Sequence, residues 1–113
     1  MRLLLLGINH RTAPVELREA VAINADRLPS VLDAFRNSYG QSSSGECVLL
    51  STCNRTEMYV ARPSHAEPTI ESLRQFLADQ TGTALDTITA SSIHREQQPA
   101  VHHLFRVTAG LDA

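Results

Sequence analysis

The apolar stretch Cys47-Val48-Leu49-Leu50 runs straight into Ser51-Thr52-Cys53-Asn54-Arg55, and then into Thr56, Met58 and Val60 alternating with Glu57, Tyr59 and Ala61. Nothing else in the chain restricts its folding so tightly. A short apolar run followed by period-two alternation reads as two strands, the first apolar and the second half-exposed. Only a few polar residues separate them, so they pair as a hairpin with a cysteine at its turn. A thiol at a strand end is within reach of a substrate. The Arg55 cation two positions on favours the thiolate, the form that attacks carbonyl carbon.

The 113 residues suffice for one compact domain with its own core, and not for two. The longest apolar stretch, residues 3–6 with Ile8 close by, is too short to span a bilayer. Asn9-His10-Arg11 follows it where a signal peptide would carry small cleavage-site residues. These features predict a cytoplasmic protein without a membrane partner. The formal net charge of -2 argues against binding nucleic acid by charge alone. Every basic residue is arginine, so Schiff-base chemistry and a P-loop lysine are excluded within this chain. The two cysteines, in a cytosolic setting, read as free thiols.

The pattern along the chain predicts a buried strand over residues 2–8. Thr12 and Pro14 suit a helix cap and first turn, with the helix over 15–21. Asp26 and Pro29 suit a second start, with Leu28, Val31, Leu32 and Phe35 on one face and Gly40 as the stop. Residues 41–45 form a Ser-rich loop. Pro68 opens a helix that buries Ile70, Leu73 and Leu77 and ends at Gly82. Residues 89–94 suit a last strand, and Pro99 begins a final helix to about residue 109. The order is strand, helices, strand, strand, helix, strand, helix. That predicts an α+β fold, a ferredoxin-like split βαβ antiparallel sheet with additional helices.

Cys53 is either one more small buried side chain or a reactive thiol. Cys47, inside an apolar strand, looks structural. Cys53 has Thr52, Asn54 and Arg55 around it, a poor set to bury together without partners, and the asymmetry favours Cys53 as the nucleophile. A cysteine nucleophile is usually served by an imidazole. On the last helix Ala100, Val101, Leu104, Phe105 and Val107 form the apolar arc. His103 sits on its border and His102 nearly opposite, so His103 is the better base candidate. His10, with Asn9 beside it after the first strand, is a second pocket candidate; His65 and His94 have no supporting context. Arg55 either binds a carboxylate or phosphate through its fork, or pairs Glu57 or Glu46 at the surface. A metal site from the cysteines is disfavoured by the Cys-x5-Cys spacing. The five glycines are isolated, so no dinucleotide-binding fingerprint is present.

Three blocks resemble a known family. Residues 7–14, Gly-Ile-Asn-His-Arg-Thr-Ala-Pro, followed by Glu16-Leu17-Arg18-Glu19, are similar to the start of glutamyl-tRNA reductases. Residues 50–57 resemble that family's active-site signature, and His103-Leu104-Phe105-Arg106-Val107 with Gly110-Leu111-Asp112 its third block. The resemblance implies an N-terminal catalytic domain, with NADPH-binding and dimerisation domains outside this chain. It implies an NADPH-dependent enzyme that makes glutamate-1-semialdehyde from glutamyl-tRNA at the entry to tetrapyrrole synthesis. Carried over by position, Cys53 attacks the ester and forms a thioester, which hydride from NADPH then reduces. His103 shuttles a proton or positions substrate. Thr52, Cys53, Asn54 and Arg55 contact substrate, and Arg55 holds the glutamate side-chain carboxylate. The full-length protein is expected to be a homodimer and this fragment a monomer, with no metal. The family often has Ser where this chain has Ala113. Two other readings stay open: a non-catalytic RNA-binding module using sheet-face aromatics, and a simple thiol hydrolase.

Overall fold

The computed structural model describes residues 2–40, 46–62, 67–97, 100 and 103. In chain order it forms β1 (Arg2–Asn9), α1 (Val15–Val21), α2 (Leu28–Phe35) continued by a π-helical turn (Arg36–Gly40), β2 (Glu46–Ser51), β3 (Arg55–Arg62), α3 (Ile70–Thr81), α4 (Leu85–Ser91) and β4 (Ile93–Glu96). Ala100 and His103 are helical. The four strands make one sheet in the order β2-β3-β1-β4, every pair antiparallel. The architecture is α+β, as the order of elements predicts. The Ser-rich loop, His65, His102, Ala113 and most of the last helix lie outside the described residues.

Alternation on the strands decides which residues meet which layer. Leu4, Leu6 and Ile8 of β1 and Met58 and Val60 of β3 point to one face. There they join Leu17, Val21, Val31, Phe35, Leu73, Phe76, Leu77 and Ile88 from the helices in the main core. Complete burial of one such Leu or Ile contributes about 1.5–3 kcal/mol, so this face supplies most of the drive to fold. Leu5, Tyr59 and Ala100 form a smaller cluster on the opposite face.

That second cluster explains one departure from expectation. β3 is buried on both faces rather than half-exposed. The chain beyond β4 returns across the sheet, and Ala100 packs over Leu5 and Tyr59. Period-two alternation shows that the two rows of a strand differ in chemistry, not that one row faces water.

The helix ends follow local chemistry only in part. Thr69 and Ser72 form a reciprocal cap on α3, with Thr69 Oγ1 accepting from the Ser72 amide at 3.1 Å and Ser72 Oγ from the Thr69 amide at 2.7 Å. Gly82 ends α3 in the left-handed region at φ 66°. Thr12, in contrast, does not cap α1. Its hydroxyl serves the end of β1, accepting from the Asn9 amide and donating to the Asn9 carbonyl, and Pro14 takes the cap position. Asp26 lies in a turn, and Arg27 precedes α2. Residues 85–91 are a helix, so 89–91 are helical where the start of the last strand is expected. Thr87, Ile88 and Thr89 favour strand locally, but burying Ile88 in the main core outweighs that preference, and β4 begins only at Ile93.

Candidate active site

β2 and β3 meet at a tight tip. Ser51 pairs with Thr56, the Thr52 amide donates to the Arg55 carbonyl at 2.7 Å, and Cys53 and Asn54 occupy the end. The Asn54 amide donates to Thr52 Oγ1 at 3.2 Å, so the threonine hydroxyl closes the turn locally. Cys53 is exposed, as its polar neighbours predict. Cys47 is half-buried against the main core, and burial pushes its thiol up from 9.0 to about 12. At neutral pH Cys47 therefore offers almost no thiolate.

The base of the tip is fastened to α1 by hydroxyls. Thr56 Oγ1 donates to the Val21 carbonyl at 3.3 Å, one of the carbonyls left open at the helix end. Its single proton is thereby used, so in the 2.9 Å contact between Ser51 Oγ and Thr56 Oγ1 the serine is the donor. Ser51 Oγ accepts in turn from the Ile23 amide at 3.0 Å. This unbroken chain of donors ties the hairpin to the helix. At the tip itself, Arg18 of α1 reaches over from the side. Its Nη1 donates to the Cys53 carbonyl at 3.3 Å and to Asn54 Oδ1 at 3.4 Å. A guanidinium therefore lies on the segment that carries the thiol, and it comes from α1 rather than from the hairpin.

Arg55, Glu57 and Tyr59 share the sheet face opposite the main core, at i, i+2 and i+4. Glu57 is fully buried, and Arg55 is 3% exposed. Arg55 Nη1 donates to Glu57 Oε2 at 3.3 Å, and the Tyr59 hydroxyl donates to Oε1 at 2.8 Å. His103, 12% exposed, brings Nε2 to 2.5 Å from Oε2. Arg55 thus pairs Glu57, one of the two partners expected of it, but inside the protein and not at its surface. His103 reaches the sheet and bonds Glu57, while the residues of the apolar arc on whose border the sequence places it, Ala100 apart, lie outside the described residues. The strand rise places Glu57 about 7 Å along β3 from Arg55, which closes the tip, so the imidazole and the thiol belong to the same end of the sheet.

Asn9 is buried and pairs with Arg55 across β1 and β3. Its Oδ1 accepts from the Arg11 amide at 2.9 Å. That bond holds the loop after β1, where His10 is exposed. Thr52 and Asn54 are exposed at the tip, and His94 lies apart on β4, bonded to Arg74. Sequence reasoning passed over three contributors. Arg18 is invisible without the packing of α1, although it stands in the first family-like block. Ser51 shows only when the register pairs it with Thr56. The sequence offers Glu57 only as a surface partner of Arg55, and a glutamate alternating with apolar residues gives no hint of burial.

Among the described residues, no three His, Cys, Asp or Glu side chains gather as a metal ion would require. A dinucleotide finds no cradle in them either. The turn from β1 into α1 is closed by Asn9 and Thr12 without glycine, Gly7 sits mid-strand opposite Glu57, and Gly82 ends α3. No described helix is long and apolar enough to cross a membrane.

Comparison with known proteins points one way. The family model for the glutamyl-tRNAGlu reductase N-terminal domain matches residues 6–113. The glutamyl-tRNA reductase of Shewanella denitrificans is 45% identical over 113 residues, covering 100% of this chain and 25% of the relative. That of Carboxydothermus hydrogenoformans is 42% identical, with 100% and 24% covered. The solved structure of glutamyl-tRNA reductase from Methanopyrus kandleri superimposes with a TM-score of 0.64 at 30% identity, covering 98% of this chain and 23% of that one. The chain spans about a quarter of the length of these relatives. With the matching family model extending over nearly every residue, the chain belongs to the glutamyl-tRNA reductase N-terminal domain family.

Proposed function

We propose that this chain is the thiol-bearing catalytic domain of an NADPH-dependent glutamyl-tRNA reductase acting in tetrapyrrole biosynthesis in the cytoplasm. The observation that carries the reading is an exposed cysteine at a hairpin tip held by an arginine, in a chain of this family. The Cys53 thiolate attacks the ester carbonyl of the glutamyl group. The carbon–oxygen bond to the terminal ribose breaks, a proton reaches the departing oxygen, tRNA leaves, and a thioester remains on Cys53. His103 moves that proton or positions the acyl group. Thr52 and Asn54 line the approach. Arg55 is assigned to the glutamyl side-chain carboxylate; it is 3% exposed and already pairs Glu57, so this contact requires the substrate to displace the groups that cover it.

The chain spans about a quarter of the length of its relatives, and NADPH-dependent reduction and dimerisation are assigned to the part of the enzyme outside it. The fold is read as ferredoxin-like. Its support is the strand order, in which β3 lies between β2 and β1 while β4 takes the far edge.

The test mixes the chain with glutamyl-tRNA labelled in the glutamyl group. A labelled adduct on Cys53 is expected, lost in Cys53→Ser and retained in Cys47→Ser. Label on Cys47, or on the Cys53→Ser variant, ends the assignment. Turnover of small activated esters with no preference for glutamyl would favour a simple thiol hydrolase. The RNA-module reading loses ground on the aromatics. Phe35, Tyr39 and Phe76 pack on one another, with ring centroids 5.3 to 6.3 Å apart, and Phe35, Phe76 and Tyr59 are buried, so those three present no open stacking face.

A further inference from the structure

A buried carboxylate is costly unless every oxygen is served, and replacing a buried ion pair with apolar side chains is often neutral or stabilising. Glu57 is fully buried in a strand whose other buried positions are Arg55, Thr56 and Arg62 as well as Met58, Tyr59 and Val60. The neighbouring strand also makes room for it. Gly7 pairs directly with Glu57, and a Cβ on Gly7 would stand 3.2 Å from Glu57 Cγ and 3.4 Å from Oε2. Stability alone gives little reason to maintain a charge here and a glycine opposite it.

We propose that Glu57 is the positioning residue of the thiol site, its carboxylate holding the His103 imidazole in the Nε2–H tautomer while anchoring Arg55. The chemistry follows from the donors. A carboxylate only accepts, so the 2.5 Å contact requires the hydrogen on His103 Nε2. Arg55 Nη1 donates to the same oxygen, and the Tyr59 hydroxyl occupies the other. With both oxygens engaged, the carboxylate cannot rotate without losing a bond, and the ring it holds keeps one orientation and one tautomer. Being sealed from solvent, Glu57 does not itself meet substrate; it acts through His103 and Arg55. The inference rests on the reading above, in which His103 serves the Cys53 reaction.

The experiment reads the tautomer without asking for activity. The chain is labelled with ¹⁵N-histidine, and two-bond ¹H–¹⁵N correlations are recorded above the pH range in which imidazole charges. His103 is expected in the Nε2–H form in the parent. In Glu57→Gln it shifts to a mixture of tautomers, while His94, bonded elsewhere, stays unchanged. Gly7→Ala keeps every member of the cluster but crowds the carboxylate, and should move His103 in the same direction by less. Thioester formation from glutamyl-tRNA should fall about 100-fold in Glu57→Gln, the lower end of what a well-placed proton-transfer group contributes. Should Glu57→Gln fail to fold, Gly7→Ala and Tyr59→Phe carry the test. An unchanged His103 pattern across the folded variants overturns the proposal, as does a rate loss without a tautomer change. If the parent forms no adduct at all, the function proposed above fails, while a His103 pattern that still responds to these variants upholds Glu57's hold on the ring.

Discussion

The two faces of the sheet are built from alternate residues of the same strands and bury opposite chemistries. Toward the helices, Leu6 and Ile8 of β1 and Met58 and Val60 of β3 are sealed in an apolar core. On the other side, Arg55, Glu57 and Tyr59 of β3 lie across from Asn9, Gly7 and Leu5. The first face is held by non-directional burial, which tolerates exchange of one apolar side chain for another of similar volume. The second is held by donors matched to acceptors, where the loss of one partner leaves another stranded in low dielectric. Equal burial therefore has different meanings. One face supports the fold, and the other keeps charged groups in fixed places beside the hairpin tip.

Substitution can break the comparison. Glu57→Ala leaves Arg55 sealed without its carboxylate and should cost about 3–5 kcal/mol in urea denaturation. The double variant Arg55→Met, Glu57→Leu should recover most of that loss, because it removes the charges in pairs. If the single variant is harmless, the polar face is not held as argued. One residue along, Met58→Ala should cost about 2–5 kcal/mol by opening a cavity. It should leave alkylation of Cys53 unaltered, since nothing at the tip leans on Met58. Ser51→Ala interrupts the hydroxyl chain, leaves the Ile23 amide without its acceptor, and should cost about 1–3 kcal/mol by the same measurement.

The cysteines sharpen the contrast with the least disturbance. Iodoacetamide should label Cys53 in the native protein and spare Cys47, read by peptide mass. Cys47 should also make folding sensitive to alkali. Its folded thiol holds the proton up to about 12, whereas an unfolded cysteine releases it near 9.0. The folded state then binds more protons across that window, so this contribution is complete below the unfolded value and is lost as pH climbs toward the folded one. Denaturation midpoints of Cys47→Ala should fall less steeply with pH over the window than those of the parent.

Much of this was legible in the residues. The hairpin, the bounds of α1, the face and both ends of α3, and the exposure of Cys53 follow from periodicity, proline, glycine and polar neighbours, which are local signals. The same signals erred where distant packing competed with them. Residues 89–94 read as a strand, yet 89–91 belong to a helix over 85–91 whose Ile88 is buried in the core, and the strand begins only at Ile93. Thr12 looks like a cap, yet its hydroxyl is taken by Asn9. The polar row of β3 reads as solvent-facing because alternation alone cannot reveal that a later segment returns to cover it.

The order of neighbours along the chain was enough to place a cysteine at the end of an antiparallel pair and to mark the family to which the chain belongs. It could not place Glu57 in contact with a histidine 46 residues away, or Arg18 over the turn 35 residues ahead. Turn and periodicity preferences act between residues a few positions apart. A buried charge cluster exists only where strand register, helix docking and the returning chain exclude water together, and that depends on the folded whole.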